Sequence, residues 1–488
     1  MDSHDHDLVV SERIKKETER ARATKTAVYV PVVTSRRRKA GSHGNPPVAT
    51  TDRSEEALLE EAVRLAEAIE LNVTDRQIVR LSSVQPATLI GKGRVTEIAE
   101  RVKAENTELI IIDHDLTPIQ QRNLERAFGA KVLDRTGLIL EIFGRRAQTR
   151  EGVLQVELAH LTYQRSRLVR SWTHLERQRG GKGFLGGPGE TQIEADRRVI
   201  QSKITRLTEK LDDVRRTRTL HRTRRQDAPT PVIALVGYTN AGKSTLFNRL
   251  CDSSVQAQDM LFATLDPTLR KLTLPNGTNA VLSDTVGFIS NLPTPLVAAF
   301  RATLEEVIEA DVVVHVRDMS HPDTDTQKQD VLRILVELGV LPDTDANNRE
   351  PDTALIEVWN KTDLMSAERA ADLKRQAPRA QPIAVPVSAV TGDGIDNLLQ
   401  TIEQQLFNSR EQAEFTIPAH DGRARAWLFR HGSILDETIQ PDGSSKLTVA
   451  LDRRGMGIAR QRFTPKPVRR GPHMSGQALD QVQASDEA

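Results

Sequence analysis

Apolar positions in the first third of the chain follow two different periods. Runs of aliphatic and β-branched residues predict strands at 27–33, 87–90, 109–112 and 131–133. Between these runs, apolar residues three and four positions apart predict helices at 54–71, 93–103 and 118–128. Strands that alternate with helices favour a small α/β domain over residues 27–133. The charged residues 1–26, which precede it, are predicted to be disordered.

In the region that follows, apolar residues recur only at helical spacing, three and four positions apart. Two apolar stripes with this spacing predict an antiparallel helical hairpin within residues 134–225. The stripes are Leu154, Leu158, Leu161, Leu168, Trp172 and Leu175, and then Ile200, Ile204, Leu207, Leu211 and Val214. Between them, residues 179–190 are rich in glycine and contain a proline, so neither helix is expected to continue through this tip.

Alternating strands and helices return over residues 231–407 and predict a second α/β domain. Residues 226–230 and 408–413 read as linkers. Strand-like runs on either side of a helical segment near 423–435 predict a small α+β module over 414–452. The basic residues 453–488, with several prolines and glycines, are predicted to form a flexible tail.

Composition restricts the class of protein. The chain has 488 residues, 38% of them hydrophobic and 28% charged, with a formal net charge of +1, as in a soluble protein of several domains. Its one cysteine, Cys251, fits a reducing compartment. The sequence shows neither a long apolar stretch nor the order of a secretory signal. We therefore expect a cytoplasmic protein that is not inserted in a membrane.

The hairpin region departs from this balance. Residues 165–225 contain 17 Lys or Arg and 7 Asp or Glu. Such a run often forms only the solvated faces of helices. In a chain that is otherwise near neutral, however, it favours a polyanionic partner, and nucleic acid is the first candidate.

The second α/β domain opens with a phosphate-binding pattern. The apolar run Val232–Val236 leads into GYTNAGKST, which matches G-x-x-x-x-G-K-[ST] from Gly237 to Ser244. Glycines let consecutive backbone amides curl around phosphates, and the following helix directs its positive end at the same anion. Lys243 is predicted to neutralise the β and γ phosphates, and the Ser244 hydroxyl to bind Mg²⁺.

A later tetrapeptide selects the base. Asn360, Lys361, Thr362 and Asp363 follow a predicted strand. The Asp363 carboxylate can accept hydrogen bonds from N1–H and N2–H₂ of guanine, a donor pair that adenine lacks. Asn360 is predicted to hold the other edge of the base and the Lys361 stem to cover the ring. Beyond the next strand, the Ala389 amide can donate to guanine O6.

Two segments between these motifs predict the switches. Asp284 ends a strand in the sequence DTVG, where it can hold Mg²⁺ through water, and the Gly287 amide can contact the γ-phosphate. In the run Phe262–Thr268, either Thr264 or Thr268 can complete the metal shell, and Thr264 is preferred. The predicted metal ligands are thus Ser244, Thr264 and, through water, Asp284. The predicted catalytic residues are Lys243, Thr264 and Gly287.

The predicted GTP-binding residues come from all of these segments. They are Gly237, Tyr238, Thr239, Asn240, Ala241, Gly242, Lys243, Ser244, Thr245, Phe262, Ala263, Thr264, Leu265, Asp266, Asp284, Thr285, Val286, Gly287, Asn360, Lys361, Thr362, Asp363, Ser388, Ala389 and Val390.

The order of these motifs resembles that of the translation-factor-related GTPases over residues 231–407. One position departs from the pattern. Ras-like members place a glutamine after the glycine of DxxG to orient the attacking water, and this chain has Phe288. We expect slow intrinsic hydrolysis that a partner or another residue completes.

Longer segments resemble the HflX family of ribosome-associated GTPases. They are DRTGLILEIF (134–143), GGKGFLGGPGETQIEADRR (180–198), GYTNAGKS, FATLDPT, DTVGF and NKTD. The resemblance covers about residues 27–408. It implies a multidomain α/β protein in which a P-loop GTPase domain is joined to an N-terminal α/β domain, an antiparallel helical hairpin and a small C-terminal α+β module.

The resemblance also implies partners. It implies GTP and GDP as ligands, Mg²⁺ as cofactor and the large ribosomal subunit with its rRNA as partner. The hairpin tip would contact rRNA near the peptidyl-transferase region through Arg179, Lys182 and Phe184, although a tip of this kind can also be a simple connector. Family members split stalled ribosomes, and some also hydrolyse ATP and remodel RNA. The chain is expected to act as a monomer.

Two other functions stay open at this point. The chain can be an RNA-binding remodeller or ribosome-assembly scaffold in which nucleotide hydrolysis is incidental. A GTPase that serves tRNA modification ranks last, because the sequence shows no modification chemistry.

Overall fold

The computed structural model describes most of the chain. The described residues are 23–33, 53–178, 188–225, 230–251, 261–262, 268–290, 304–342, 353–408, 411–451, 453–463 and 466–467. They divide into two compact units, one within 1–222 and 231–402 and the other within 223–230 and 403–488. Within the described ranges, no helix is long and apolar enough to cross a membrane.

The N-terminal part of the first unit is a parallel sheet with helices packed on it. Its elements are β1 (Lys25–Val33), α1 (Glu55–Glu67), β2 (Asn72–Leu81), α2 (Lys92–Glu105), β3 (Leu109–Ile112), α3 (Pro118–Phe128) and β4 (Lys131–Asp134). The strand order is β2-β1-β3-β4, and all three pairs are parallel. The central strands β1 and β3 are buried apolar runs, as expected for strands covered on both faces.

Local sequence sets the helix ends in this sheet. The Ser54 side chain accepts a hydrogen bond from the Ala57 amide and caps α1. In α3, Thr117 and Gln120 form a reciprocal capping box on either side of Pro118. The helix predicted at 118–128 is confirmed.

One predicted strand is wrong and another was missed. Residues 87–90 form a turn closed by Gln85 and Leu89, and the second strand is β2. It lies at the sheet edge with alternate residues exposed, so it carries little of the apolar signal that marks a buried strand. The first strand also begins at Lys25, inside the segment predicted to be disordered.

Two long helices follow a shorter one. The shorter helix is α4 (Arg135–Arg146), and the two long helices are α5 (Arg150–Gln178) and α6 (Pro188–Arg225). Arg165 of α5 donates to Gln201 of α6 over 2.7 Å. On α6, Leu207 and Leu211 are buried while most of their neighbours are exposed. The predicted apolar stripe is therefore the packed face of this helix.

A six-stranded sheet forms the rest of the first unit. Its strands are β5 (Val232–Gly237), β6 (Thr268–Thr273), β7 (Asn279–Asp284), β8 (Val312–Asp318), β9 (Ala354–Asn360) and β10 (Ala384–Pro386). The order is β10-β9-β8-β5-β7-β6, and only β6 is antiparallel to its neighbour. The helices are α7 (Lys243–Leu250), α8 (Glu305–Ile308), α9 (Thr324–Glu337), α10 (Ala367–Gln376) and α11 (Ile395–Asn408).

The second unit contains an antiparallel sheet with two helices. Its elements are β11 (Glu411–Ile417), α12 (Gly422–His431), β12 (Ser433–Ile439), β13 (Ser445–Leu451), α13 (Arg453–Arg462) and β14 (Lys466–Pro467), in the strand order β12-β13-β11-β14. The flexible tail predicted from residue 453 is wrong for its first ten residues. They form α13, because Met456 and Ala459 are buried in the core of this unit.

Candidate nucleotide-binding site

The phosphate-binding loop lies between the central strand β5 and helix α7. Gly242 precedes the helix with a φ of 94°, and a Cβ there would lie 2.2 Å from Nδ2 of Asn360. Only glycine therefore fits this position. Helix α7 has no side-chain cap, so the amides of its first turn are left for an anion. Asn240 also adopts a left-handed conformation, with a φ of 60°.

Lys243 is the cation of this loop. Its side chain is buried, with 6% exposed, and its Nζ donates to the Tyr238 carbonyl over 2.8 Å. Burial lowers the pKa of Lys243 to about 8, although the nearby Asp284 carboxylate opposes the shift. A phosphate that reaches this amine would favour its charged form.

Two oxygen donors meet at the start of α7. The Ser244 hydroxyl donates to Oδ2 of Asp284, at the end of β7, over 2.7 Å. A hydroxyl beside a carboxylate is a donor set that suits Mg²⁺, so these residues fit the implied ion. Thr268, the alternative to Thr264, lies on β6 directly opposite Asp284. The preferred Thr264 lies outside the described residues.

The base-reading loop contacts the phosphate loop directly. Asn360 ends β9, and its Nδ2 donates to the Ala241 carbonyl over 2.8 Å. Its Oδ1 accepts from the Ala389 amide over 3.0 Å. One side chain thus joins three predicted segments, GYTNAGKST, NKTD and SAV.

The two neighbours of Thr362 are also held in place. The Ser388 hydroxyl donates to Oδ1 of Asp363 over 2.6 Å and orients this exposed carboxylate. The Lys361 amine lies 2.8 Å from Oδ2 of Asp318, which fixes its stem at a left-handed turn with a φ of 64°. Thr362 itself is buried.

Several predicted GTP-binding residues direct their side chains elsewhere. Thr285 is fully buried and donates to the Leu235 carbonyl, which ties β7 to β5. The Phe262 ring is 2% exposed and packs edge-on against Phe143 of α4. The Tyr238 ring is 5% exposed and faces the N-terminal sheet's helices. These positions can reach a nucleotide only through their backbones.

The segment after β7 is joined to the phosphate loop. The Phe288 amide donates to the Gly237 carbonyl over 3.0 Å, and the Thr239 amide donates to the Phe288 carbonyl over 2.7 Å. A Cβ on Gly287 would lie 2.8 Å from Cγ2 of Thr239 and 3.0 Å from Nζ of Lys243. Gly287 is therefore packed closely against the loop that should hold the γ-phosphate. Val286 is buried beside it.

Two further predicted GTP-binding residues, Thr245 and Val390, lie at the margins of the site. Thr245 is half-buried in α7, and Val390 is 69% exposed, with its carbonyl accepting from Arg249 over 2.6 Å. Predicted residues outside the described ranges are Ala263, Thr264, Leu265, Asp266, Arg179, Lys182 and Phe184.

The sequence reasoning missed a group of charged residues behind the phosphate loop. The Tyr238 hydroxyl donates to Glu61 of α1 and accepts from Arg53 and from the Ser290 amide. The only sequence signal is the position of Asp113 and Asp134 at the ends of apolar strands, where Arg135 meets this group. The partners of such charges cannot be read from one sequence.

The sheet order and the convergence of three loops at its carboxyl edge define a P-loop GTPase. Curated sequences agree. The GTPase HflX of Magnetococcus marinus is 49% identical over 390 residues, which cover 80% of this chain and 87% of that protein. The GTPase HflX of Escherichia coli strain K12 is 44% identical over 369 residues, covering 75% and 83%. The chain belongs to the HflX family of GTPases.

Family models match four successive regions. They are described as GTP-binding GTPase N-terminal (56–144), GTP-binding GTPase Middle Region (146–225), 50S ribosome-binding GTPase (232–350) and HflX C-terminal domain (372–463). A GTP-binding protein of Sulfolobus solfataricus, solved in complex with GDP, aligns with 79% of this chain at 23% identity and a TM-score of 0.41. The family assignment rests on the two sequence relatives.

Proposed function

We propose that this GTPase binds the large ribosomal subunit in its GTP state, releases it after hydrolysis, and separates stalled ribosomes. The observation that supports a nucleotide-controlled cycle is the meeting of the two nucleotide motifs. Asn360, before the base-selecting Asp363, donates to the Ala241 carbonyl of the phosphate loop. At the end of the same loop, the Ser244 hydroxyl donates to Asp284 of the DTVG segment. A single nucleotide can therefore contact a base-selecting loop and a γ-phosphate sensor at once.

Each residue has a defined part in this proposal. Asp363 selects guanine, and Lys243 with the first-turn amides of α7 binds the phosphates. Ser244 and Asp284 hold Mg²⁺, which offsets charge on the phosphate oxygens when it is bound. The Gly287 amide detects the γ-phosphate. The predicted switch residue Thr264 completes the metal shell.

The ribosome as partner has two supports. The family model that matches 232–350 is described as a 50S ribosome-binding GTPase. Residues 165–225 hold 17 basic and 7 acidic side chains, a charge excess suited to many phosphate contacts. Arg179, Lys182 and Phe184 at the hairpin tip are proposed to contact rRNA.

The surroundings of Phe288 support the expectation that intrinsic hydrolysis is slow and that a partner completes the site. Its ring is 2% exposed and its backbone is bonded to the phosphate loop, so this position cannot orient water. We propose that a group from the ribosome completes the hydrolytic site. Large subunits should therefore raise the rate of GTP hydrolysis.

Co-sedimentation tests this function. The full chain is mixed with purified 50S subunits and with either a non-hydrolysable GTP analogue or GDP, and the pelleted fraction is measured. We expect binding with the analogue, weak binding with GDP and stimulated hydrolysis of GTP. RNA binding that falls with salt but is equal for both nucleotides would instead support the remodeller or scaffold function.

A further inference from the structure

A buried cluster of charged side chains joins the N-terminal sheet's helices to the nucleotide domain. Arg53, Glu61 and Arg135 come from the N-terminal side, and Tyr238 and Ser290 from the nucleotide side. The side chains of Arg53, Arg135 and Glu61 are 3%, 5% and 11% exposed. A buried charge is tolerated only when it is paired, so a change that separates these side chains would be costly.

Glu61 is the centre of the cluster. Its Oε1 accepts from Nη2 of Arg135 and from Oγ of Ser290, each over 2.6 Å. Its Oε2 accepts from Arg53 over 3.0 Å and from the Tyr238 hydroxyl. Burial acts to raise the pKa of Glu61, but the two arginines outweigh it and hold the pKa below its usual range. The carboxylate therefore stays charged.

The two nucleotide-side partners of Glu61 lie on the phosphate loop and on the segment that follows DTVG. Tyr238 is the second residue of the phosphate loop, and Ser290 comes three residues after Gly287. The Ser290 amide donates to the Tyr238 hydroxyl over 2.7 Å. The intervening Phe288 is bonded to Gly237 and Thr239. A displacement of Gly287 by the γ-phosphate would therefore act, through this short segment, on the contacts of Ser290 with Glu61.

The other side of the cluster leads to the hairpin. Arg135 contacts Asp113 over 2.5 Å and the Ser290 carbonyl over 2.8 Å. The preceding residue, Asp134, bonds to Tyr163 of α5 over 2.5 Å and forms an ion pair with Arg167 of the same helix. Two consecutive residues thus link the segment after DTVG to the middle of α5.

We propose that Glu61 and Arg135 are positioning residues that transmit the state of the γ-phosphate site to α5 through the Asp134–Arg135 junction. The path runs from Gly287 through Ser290 and Arg135 to Asp134 and from there to Tyr163 and Arg167 of α5. Its use in controlling ribosome binding rests on the proposed function. The coupling itself is a property of the chain alone, so the two can be tested separately.

Hydrogen exchange of the isolated full-length protein measures this coupling. In the wild type, we expect exchange of the amides of residues 153–163 to differ about fivefold or more between the non-hydrolysable GTP analogue and GDP. In Glu61→Gln the difference should fall below about twofold. GDP affinity should stay within about threefold of the wild type, since Glu61 reaches the phosphate loop through the Tyr238 hydroxyl and not through the loop's backbone amides.

Glu60→Gln is the matched control. Glu60 lies on the same helix, is 61% exposed and forms an ion pair with Arg64. It should behave as the wild type does. Equal responses of Glu60→Gln and Glu61→Gln would overturn the proposal. So would wild-type exchange at residues 153–163 that is the same with the GTP analogue and with GDP.

Ser290→Ala provides a second test if Glu61→Gln does not fold. It removes the hydroxyl shared by Glu61 and Arg135 but changes no charge. The nucleotide-dependent difference at residues 153–163 should again shrink, and an undiminished difference would contradict the path. Failure of the wild type to bind either nucleotide would instead contradict the proposed function.

Discussion

The two parallel sheets of the first unit place polar residues at equivalent positions and use them differently. In the N-terminal sheet, Asp113 follows β3 and Asp134 ends β4. In the nucleotide domain, Asp284 ends β7 and Asn360 ends β9. Each set lies at the carboxyl edge of its sheet, which is where α/β proteins generally carry their functional loops.

The difference lies in the partners of these residues. Asp113 and Asp134 are paired with Arg135 and Arg167 respectively. Burial raises the pKa of both carboxyls, although the arginines oppose the shift. Asp284 faces a serine hydroxyl, and Asn360 faces backbone groups of two loops. One edge is closed by ion pairs, and the other is arranged for a ligand.

This contrast shows that the fold supplies the position and the loops supply the chemistry. The closed edge contributes stability and coupling, whereas the nucleotide edge contributes binding. Substitutions at the first edge should therefore change unfolding, and substitutions at the second should change affinity.

The largest expected effect comes from the closed edge. Arg135→Ala leaves Asp113 and Glu61 without a shared cation, and we expect a loss of about 3–5 kcal/mol in the free energy of unfolding. Urea denaturation followed by circular dichroism measures it. Arg80→Ala removes a surface ion pair with Glu55 and should leave stability within error. Similar losses in both variants would contradict the contrast.

Lys243→Ala tests the nucleotide edge. Loss of the buried ammonium that is proposed to bind phosphate should raise the Kd for GTP about 100-fold, since a hydrogen bond to a charged group is worth about 1.5–3 kcal/mol. Titration with a fluorescent nucleotide measures this Kd. Lys374→Ala, which removes the exposed pair with Asp393, is the control. An unchanged Kd in Lys243→Ala would refute the assignment of the phosphate loop.

Phe288→Gln tests whether position 288 belongs to the packed core or to the hydrolytic site. Because the ring is buried, an amide there should cost about 2 kcal/mol of stability. It should not raise the rate of intrinsic hydrolysis. Phe407→Gln, at a site that is 45% exposed, provides the matched control. A faster rate of hydrolysis in Phe288→Gln would show that this position does reach the attacking water.

The smallest effect is a change in proton uptake. Since burial lowers the pKa of Lys243 to about 8 and phosphate binding should raise it, proton uptake on nucleotide binding should increase as the pH rises through about 8. Calorimetry in buffers of different ionisation enthalpy should give close to zero protons at about pH 6.5 and nearly one at about pH 9. Uptake that is the same at both values would contradict the lowered pKa.

The elements with strong local signals could be predicted from sequence. The capping residues of helix α3 lie next to its start in the sequence, and the buried strands β1 and β3 are continuous apolar runs. The motif order placed the phosphate loop and the base-reading loop in one domain, and the contact of Asn360 with Ala241 brings them together.

The misses share a physical cause, since each depends on a partner distant in sequence. Strand β2 is half-exposed at an edge and is recognised only through its pairing with β1. Helix α13 contains two glycines, and its order comes from the burial of Met456 and Ala459 in the second unit. The Glu61 cluster joins residues more than a hundred positions apart.

The central claim is that Asp363 and the loop from Gly237 bind the same guanine nucleotide. Competition between GTP and xanthosine triphosphate in Asp363→Asn tests it most directly, because an amide can pair with xanthine where the carboxylate pairs with guanine. We predict that the variant prefers the xanthine nucleotide while the wild type prefers GTP. A variant that keeps the wild-type preference for GTP would contradict the account.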